Sequence, residues 1–249
     1  MNISAGTLPA EIFTREGTVM NKEIKAYLRT NREQLESSEK DLKAIFMGLA
    51  ATGYAMQMHH DSRPASGSEH LFSHVWEMEG LQKDGTDVSH GFKVGVGLLA
   101  TSLLMEYIIS TPVKEAFAHA QSVLSTEERS SEIDKLLVKN CYGAEPKKIS
   151  LAKFKTGNAA AQRRELIASV WEELGAKLSQ QLYTFEELRA MLKNADCPVT
   201  PAEIGLSKEQ FLHGIKTAQL IRNRYTILDF LYEAGLLDEA MKNLDRMMQ

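Results

Sequence analysis

The sequence predicts an all-α fold, a helical bundle, on three observations. Apolar residues recur every three or four positions through most of the chain, which is the helical repeat. Helix-start signals, a Ser or Thr followed three residues later by Glu or Gln, recur along it. Strict alternation of apolar and polar residues over a strand's length is nowhere convincing. With 43% hydrophobic and 25% charged residues among 249, the composition is that of a globular chain able to bury a core. Six prolines leave room for long helices.

In chain order, residues 1–40 read as an irregular or weakly helical segment. Gly6, Pro9 and Gly17 break any long element, and the polar stretch from Asn21 to Lys43 carries only a weak apolar stripe. Residues 41–249 read as one helical domain. Leu42, Ile45, Phe46, Leu49 and Ala50 mark a helix that ends around Gly53 to His60. Ser66 with Glu69 has capping-box spacing, and Thr111-Pro112 places a cap before a first-turn proline. Ser125 with Glu128, Thr184 with Glu187, Thr200-Pro201 with Glu203, and Ser207 with Gln210 mark further helix starts. Val170, Leu174, Leu178 and Leu182 form one stripe, and Ile221, Tyr225, Leu228 and Leu231 another.

Several function classes are excluded. Lys and Arg number 29 against 33 Asp and Glu, a net charge of -4, so there is no basic surface for nucleic acid. No apolar run reaches the length of a membrane span; Val94–Ile109 comes nearest and is interrupted by Ser102 and Glu106. The N-terminus lacks the basic start and apolar block of a signal peptide. Two cysteines, Cys141 and Cys197, fit a reducing, cytoplasmic setting. Gly95-Val96-Gly97-Leu98-Leu99-Ala100 matches a dinucleotide fingerprint by letters, but no strand precedes it, so it reads as small residues that let helices pack closely.

Five of the seven histidines lie between positions 59 and 90, far more than an even spread would put there. His70 and His74, four apart, share one helix face, and Glu77 continues it. Three readings are open for the pair: both bind one metal, one binds while the other contacts substrate, or both are surface residues. His90-Gly91 suits a tight turn that aims an imidazole into a cavity, ahead of the apolar helix from Val94. His70 and His90 on neighbouring helices would supply two ligands to a catalytic metal, which a carboxylate would complete. Arg63, beside the cluster, suits an electrostatic role toward a phosphate. Glu69 reads as a helix-start carboxylate and Glu77 as a supporting or surface group. His59 and His60 read as loop residues, and Trp76 and Trp171 as core or interface filler. Arg222, Arg224 and Tyr225 read as structural residues of a packed helix.

The string Ser62-Arg63-Pro64-Ala65-Ser66-Gly67-Ser68-Glu69-His70, then Phe72-Ser73-His74-Val75-Trp76-Glu77-Met78, then His90-Gly91-Phe92-Lys93-Val94-Gly95-Val96-Gly97, closely resembles the sn-glycerol-1-phosphate dehydrogenases. These belong to the metal-dependent polyol dehydrogenase and dehydroquinate synthase group. Cys197-Pro198-Val199-Thr200-Pro201-Ala202-Glu203-Ile204-Gly205 and Ile221-Arg222-Asn223-Arg224-Tyr225-Thr226-Ile227-Leu228-Asp229 resemble the end of the same family. The resemblance runs from about Leu42 to about Leu237.

The resemblance implies the C-terminal helical half of an enzyme whose Rossmann-like half holds NAD or NADP. It implies a divalent metal, zinc foremost, held by an aspartate and two histidines that match His70 and His90. It places His74 near the substrate, a phosphorylated polyol interconverted with dihydroxyacetone phosphate. The aspartate has no counterpart: Ala5-Gly6-Thr7 is followed by none, and neither Asp41 nor Asp61 stands at the family position. The chain is therefore expected to lack the cofactor half, to be inactive alone, and to expose an apolar face for that half or for a second copy of itself. A non-catalytic helical interaction domain, half of a split enzyme, and dehydroquinate synthase-like or glycerol dehydrogenase-like chemistry are the alternatives.

Overall fold

The computed structural model describes residues 38–119, 125–138 and 140–248. The segment expected over residues 1–40 lies almost wholly outside the described residues. The chain divides into two compact units, residues 1–67 and 68–249.

In the first unit, helix α1 spans Ser38–His59, and a 3-10 turn, Arg63–Ala65, packs back on it. The helix ends at His59, within the stretch expected. It stops where His60 takes a left-handed φ of 56°, the usual way a helix is terminated. His59 is thus the last helical residue and half-buried, not part of an exposed loop. Of the α1 stripe, Phe46 and Leu49 are 69% and 68% exposed.

The second unit is helix upon helix. Helix α2, Ser68–Met78, and helix α3, His90–Ile109, are joined by a hairpin of β1, Gln82–Lys83, and β2, Thr86–Asp87. Asp84 and Gly85 form its turn with φ of 52° and 75°, the pair of positive values a two-residue hairpin turn requires. Two-residue strands are too short for alternation to be read in a sequence. There follow α4 (Val113–His119), α5 (Thr126–Leu136), α6 (Glu145–Lys153), α7 (Gly157–Gln181), α8 (Phe185–Asn194), α9 (Lys208–Ala218), α10 (Ile227–Glu233) and α11 (Leu237–Met247). The described residues contain no parallel sheet.

Helix α3 is the hub: α2, α7, α8, α10 and α11 all pack on it. Among the described residues it is the one helix long and apolar enough to cross a membrane, and half of its apolar stretch is buried against its neighbours. Its start is set by Ser89, whose Oγ accepts the backbone N–H of Phe92 at 3.2 Å. The small residues do what the sequence suggests. A methyl group on Gly97 would stand 2.8 Å from the backbone oxygen of Glu69, so glycine is what lets α2 cross α3 this closely. Trp76, fully buried, stacks with Phe211 of α9 at 6.0 Å, over Gly214.

The helix-start signals hold unevenly. Full capping boxes form at Ser125–Glu128, Thr184–Glu187 and Ser207–Gln210, and a further one at Thr226–Asp229. Glu203 gathers the N–H groups of Val199 and Thr200 at 2.7 and 2.8 Å to close a 3-10 turn, Ala202–Ile204. Helix α2 begins at Ser68, and Glu69 sets a carboxylate oxygen 2.9 Å from His70 Nδ1. One signal fails. The hydroxyl of Thr111 donates to the Tyr107 carbonyl and so closes α3 instead of capping α4. The stripe from Ile221 to Leu231 is also broken, because α9 ends at Ala218 and α10 begins only at Ile227. Ile221, Leu228 and Leu231 are buried by the fold, not by one helix face, and Tyr225 is half-buried. Tyr225, expected on a packed helix, lies in the loop between α9 and α10 and donates its hydroxyl to Glu233 at 2.7 Å.

Candidate metal and substrate site

The site is built where α2 meets the first turn of α3. His70, Ser73, His74 and Glu77 recur at three- and four-residue spacing and so share one face of α2. His90 and Lys93 are likewise one turn apart at the start of α3. Gly91 therefore lies inside a helix and makes no tight turn; the imidazole of His90 is aimed by the helix start at Ser89 instead.

The fold brings the three histidines together. The ring centres of His70 and His90 are 5.4 Å apart, and those of His74 and His90 are 5.9 Å apart. Two imidazoles on one tetrahedral ion, with metal–nitrogen bonds of about 2.0–2.1 Å, hold their ring centres about 5 Å apart.

Every one of these rings has its Nδ1 on a carboxylate. His70 Nδ1 is 2.9 Å from Glu69 Oε1, His74 Nδ1 is 3.2 Å from Glu77 Oε2, and His90 Nδ1 is 2.8 Å from Glu77 Oε1. A carboxylate only accepts, so Nδ1 carries the hydrogen and Nε2 is the nitrogen left for other chemistry. Imidazoles that ligate metals are held in this way by an acceptor at the opposite nitrogen. The Glu77 carboxylate also takes the Ser73 hydroxyl at 3.2 Å and Lys93 Nζ, on a side chain only 7% exposed, at 3.1 Å. Partial burial pushes the Glu77 pKa up, but hydrogen bonds from His90, Lys93 and His74, with the charge of Lys93, outweigh it and hold the group at about 2.

The donors fit a divalent ion in part. His70 and His90 supply two of the three protein ligands a catalytic metal usually takes. Among the described residues, no group of three or more His, Cys, Asp or Glu side chains could hold a metal ion. Arg63, in the first unit, pairs with Asp61, Nη1 to Oδ2 at 3.3 Å, and its backbone N–H donates to the same carboxylate at 3.0 Å. The sequence reading missed Ser73 and Lys93 and underrated Glu77. The repeats 70/73/74/77 and 90/93 were the available signal.

No family model matches the chain. Curated relatives do. The chain is 26% identical over 208 residues to the glycerol-1-phosphate dehydrogenase (NAD(P)+) of Geobacillus thermodenitrificans, covering 81% of this chain and 41% of that protein. It is 29% identical over 197 residues to the enzyme of the same name from Geobacillus stearothermophilus, covering 78% and 39%. A shorter stretch of 67 residues is 40% identical to the one from Halalkalibacterium halodurans, covering 27% and 17%. The chain thus spans about two-fifths of the length of the two Geobacillus proteins. The described residues are almost wholly helical, and the chain is similar to the glycerol-1-phosphate dehydrogenases over about four-fifths of its length.

Proposed function

We propose that this chain is the helical, metal-holding part of an NAD(P)-dependent glycerol-1-phosphate dehydrogenase, which interconverts dihydroxyacetone phosphate and sn-glycerol 1-phosphate. The observation that carries the reading is the gathering of His70, His74 and His90 around Glu69 and Glu77 within a stretch similar to those enzymes. His70 and His90 hold the divalent ion, zinc foremost, through Nε2. When bound, the ion supplies Lewis acidity toward the alcohol or ketone oxygen and the nicotinamide supplies hydride exchange. His74, its Nδ1 held by Glu77, presents Nε2 to the substrate hydroxyl. Arg63, paired with Asp61, carries a guanidinium of the kind suited to a phosphate. In this reading the dinucleotide and the aspartate ligand belong to a Rossmann-like half of the enzyme. The reaction belongs to a reducing cytoplasm, where Cys141 and Cys197 stay free thiols.

Calorimetric titration of the purified chain with Zn²⁺ tests the reading. One site is expected, weakened about tenfold or more in His70→Ala and in His90→Ala. A wild-type chain that takes up no Zn²⁺, or one whose uptake both variants leave unchanged, sinks it. A second reading, a non-catalytic helical domain that docks on a partner, is favoured by the apolar residues that α1 exposes, Phe46, Met47, Leu49, Tyr54 and Met58.

A further inference from the structure

Glu77 divides its two oxygens between two histidines on two helices. Oε1 lies 2.8 Å from His90 Nδ1, and Oε2 lies 3.2 Å from His74 Nδ1. The Ser73 hydroxyl, 3.1 Å from His90 Nδ1 and 3.2 Å from Glu77 Oε1, braces the same pair. A neutral imidazole with no acceptor beside it distributes its hydrogen between both nitrogens, and a ring protonated at Nε2 has no lone pair there to offer. We infer that Glu77 is a positioning residue that holds His74 and His90 together in the Nδ1–H form, so that one carboxylate readies two Nε2 lone pairs, His90's for a divalent cation and His74's for a substrate hydroxyl. The consequence for the cation rests on the metal reading above; the tautomers do not. Glu69 holds His70 independently, which makes His70 an internal control.

The experiment is long-range ¹H–¹⁵N correlation NMR on the metal-free, ¹⁵N-labelled chain, above the ordinary imidazole pKa of about 6.5. Removing Glu77 alone would strand the buried Lys93, so the main variant is Glu77→Met with Lys93→Met, which replaces an ion pair by apolar groups of similar volume. In the wild type all three rings are expected as Nδ1–H. In the double variant His74 and His90 are expected to become mixtures while His70 stays put. Glu77→Gln, with one acceptor oxygen, is expected to hold one of the two rings and release the other. The double variant is also expected to weaken Zn²⁺ binding about 10–100-fold. Unchanged tautomers of His74 and His90 in the double variant overturn the inference, as does unchanged Zn²⁺ affinity where the wild type binds. Tautomers that follow Glu77 in a chain that binds no Zn²⁺ uphold the positioning role and sink the metal reading instead.

Discussion

At the scale of single residues, carboxylates do most of the organising. Glu77 and Glu69 orient imidazoles, while Glu203 closes a turn by collecting backbone N–H groups. The Glu203 carboxyl is held below its ordinary value of 4.5, by the Val199 N–H first, against a smaller desolvation effect, with the Thr200 N–H and hydroxyl and the charge of Lys83 adding to the lowering. A carboxyl whose folded pKa is depressed contributes stability that is fully present above its unfolded pKa and is lost as pH falls through the folded value. Below about pH 4.5, then, the wild type is expected to lose melting temperature faster than Glu203→Gln, and scans between pH 6 and pH 3 would check it. Parallel curves for the two proteins would show that the turn does not depend on the charge.

At the scale of elements, the α2–α3 crossing decides the site. Gly97→Ala would press a methyl group onto the Glu69 backbone at 2.8 Å, and backbone cannot rotate away as a side chain can. Overpacking of this kind costs about 1–3 kcal/mol. A lowered denaturation midpoint, with Zn²⁺ affinity reduced because His70 is carried away from His90, is the expected pair of results. Wild-type stability in Gly97→Ala would mean the crossing has slack. Gly214 is the matching contact on α9, where an added methyl would run into the buried Trp76 indole, so Gly214→Ala is expected to lower stability without touching the histidines.

At the scale of the whole molecule, the exposed apolar residues of α1 are the feature a folded chain has least reason to show to water. Self-association through that helix is expected, and sedimentation velocity of the wild type against Phe46→Glu with Leu49→Glu would read it, the variant sedimenting as monomer. A wild type already monomeric at high concentration would count against both a docking face and the interaction-domain reading. A complementary result, activity restored on mixing with a dinucleotide-binding half, would join the metal site to the dehydrogenase reading.

The residues alone disclosed whatever depends on near neighbours in the chain. The helical class, three of the capping boxes and the shared face of His70, His74 and Glu77 follow from a repeat of 3.6 residues and from side chains that reach their own backbone. The pairing of His70 with His90 as ligands is read from the residues, and the resemblance implies the same pair. Tertiary packing alone decided the rest: that the Ile221–Leu231 stripe breaks into a loop, that a hairpin of two-residue strands turns α2 back toward α3, and that Ser73, Glu77 and Lys93 converge on His90 from two helices. Those contacts join residues 13 or more positions apart, set by which apolar faces bury against one another and by Gly97, which lets two backbones come close, and no local pattern carries that information.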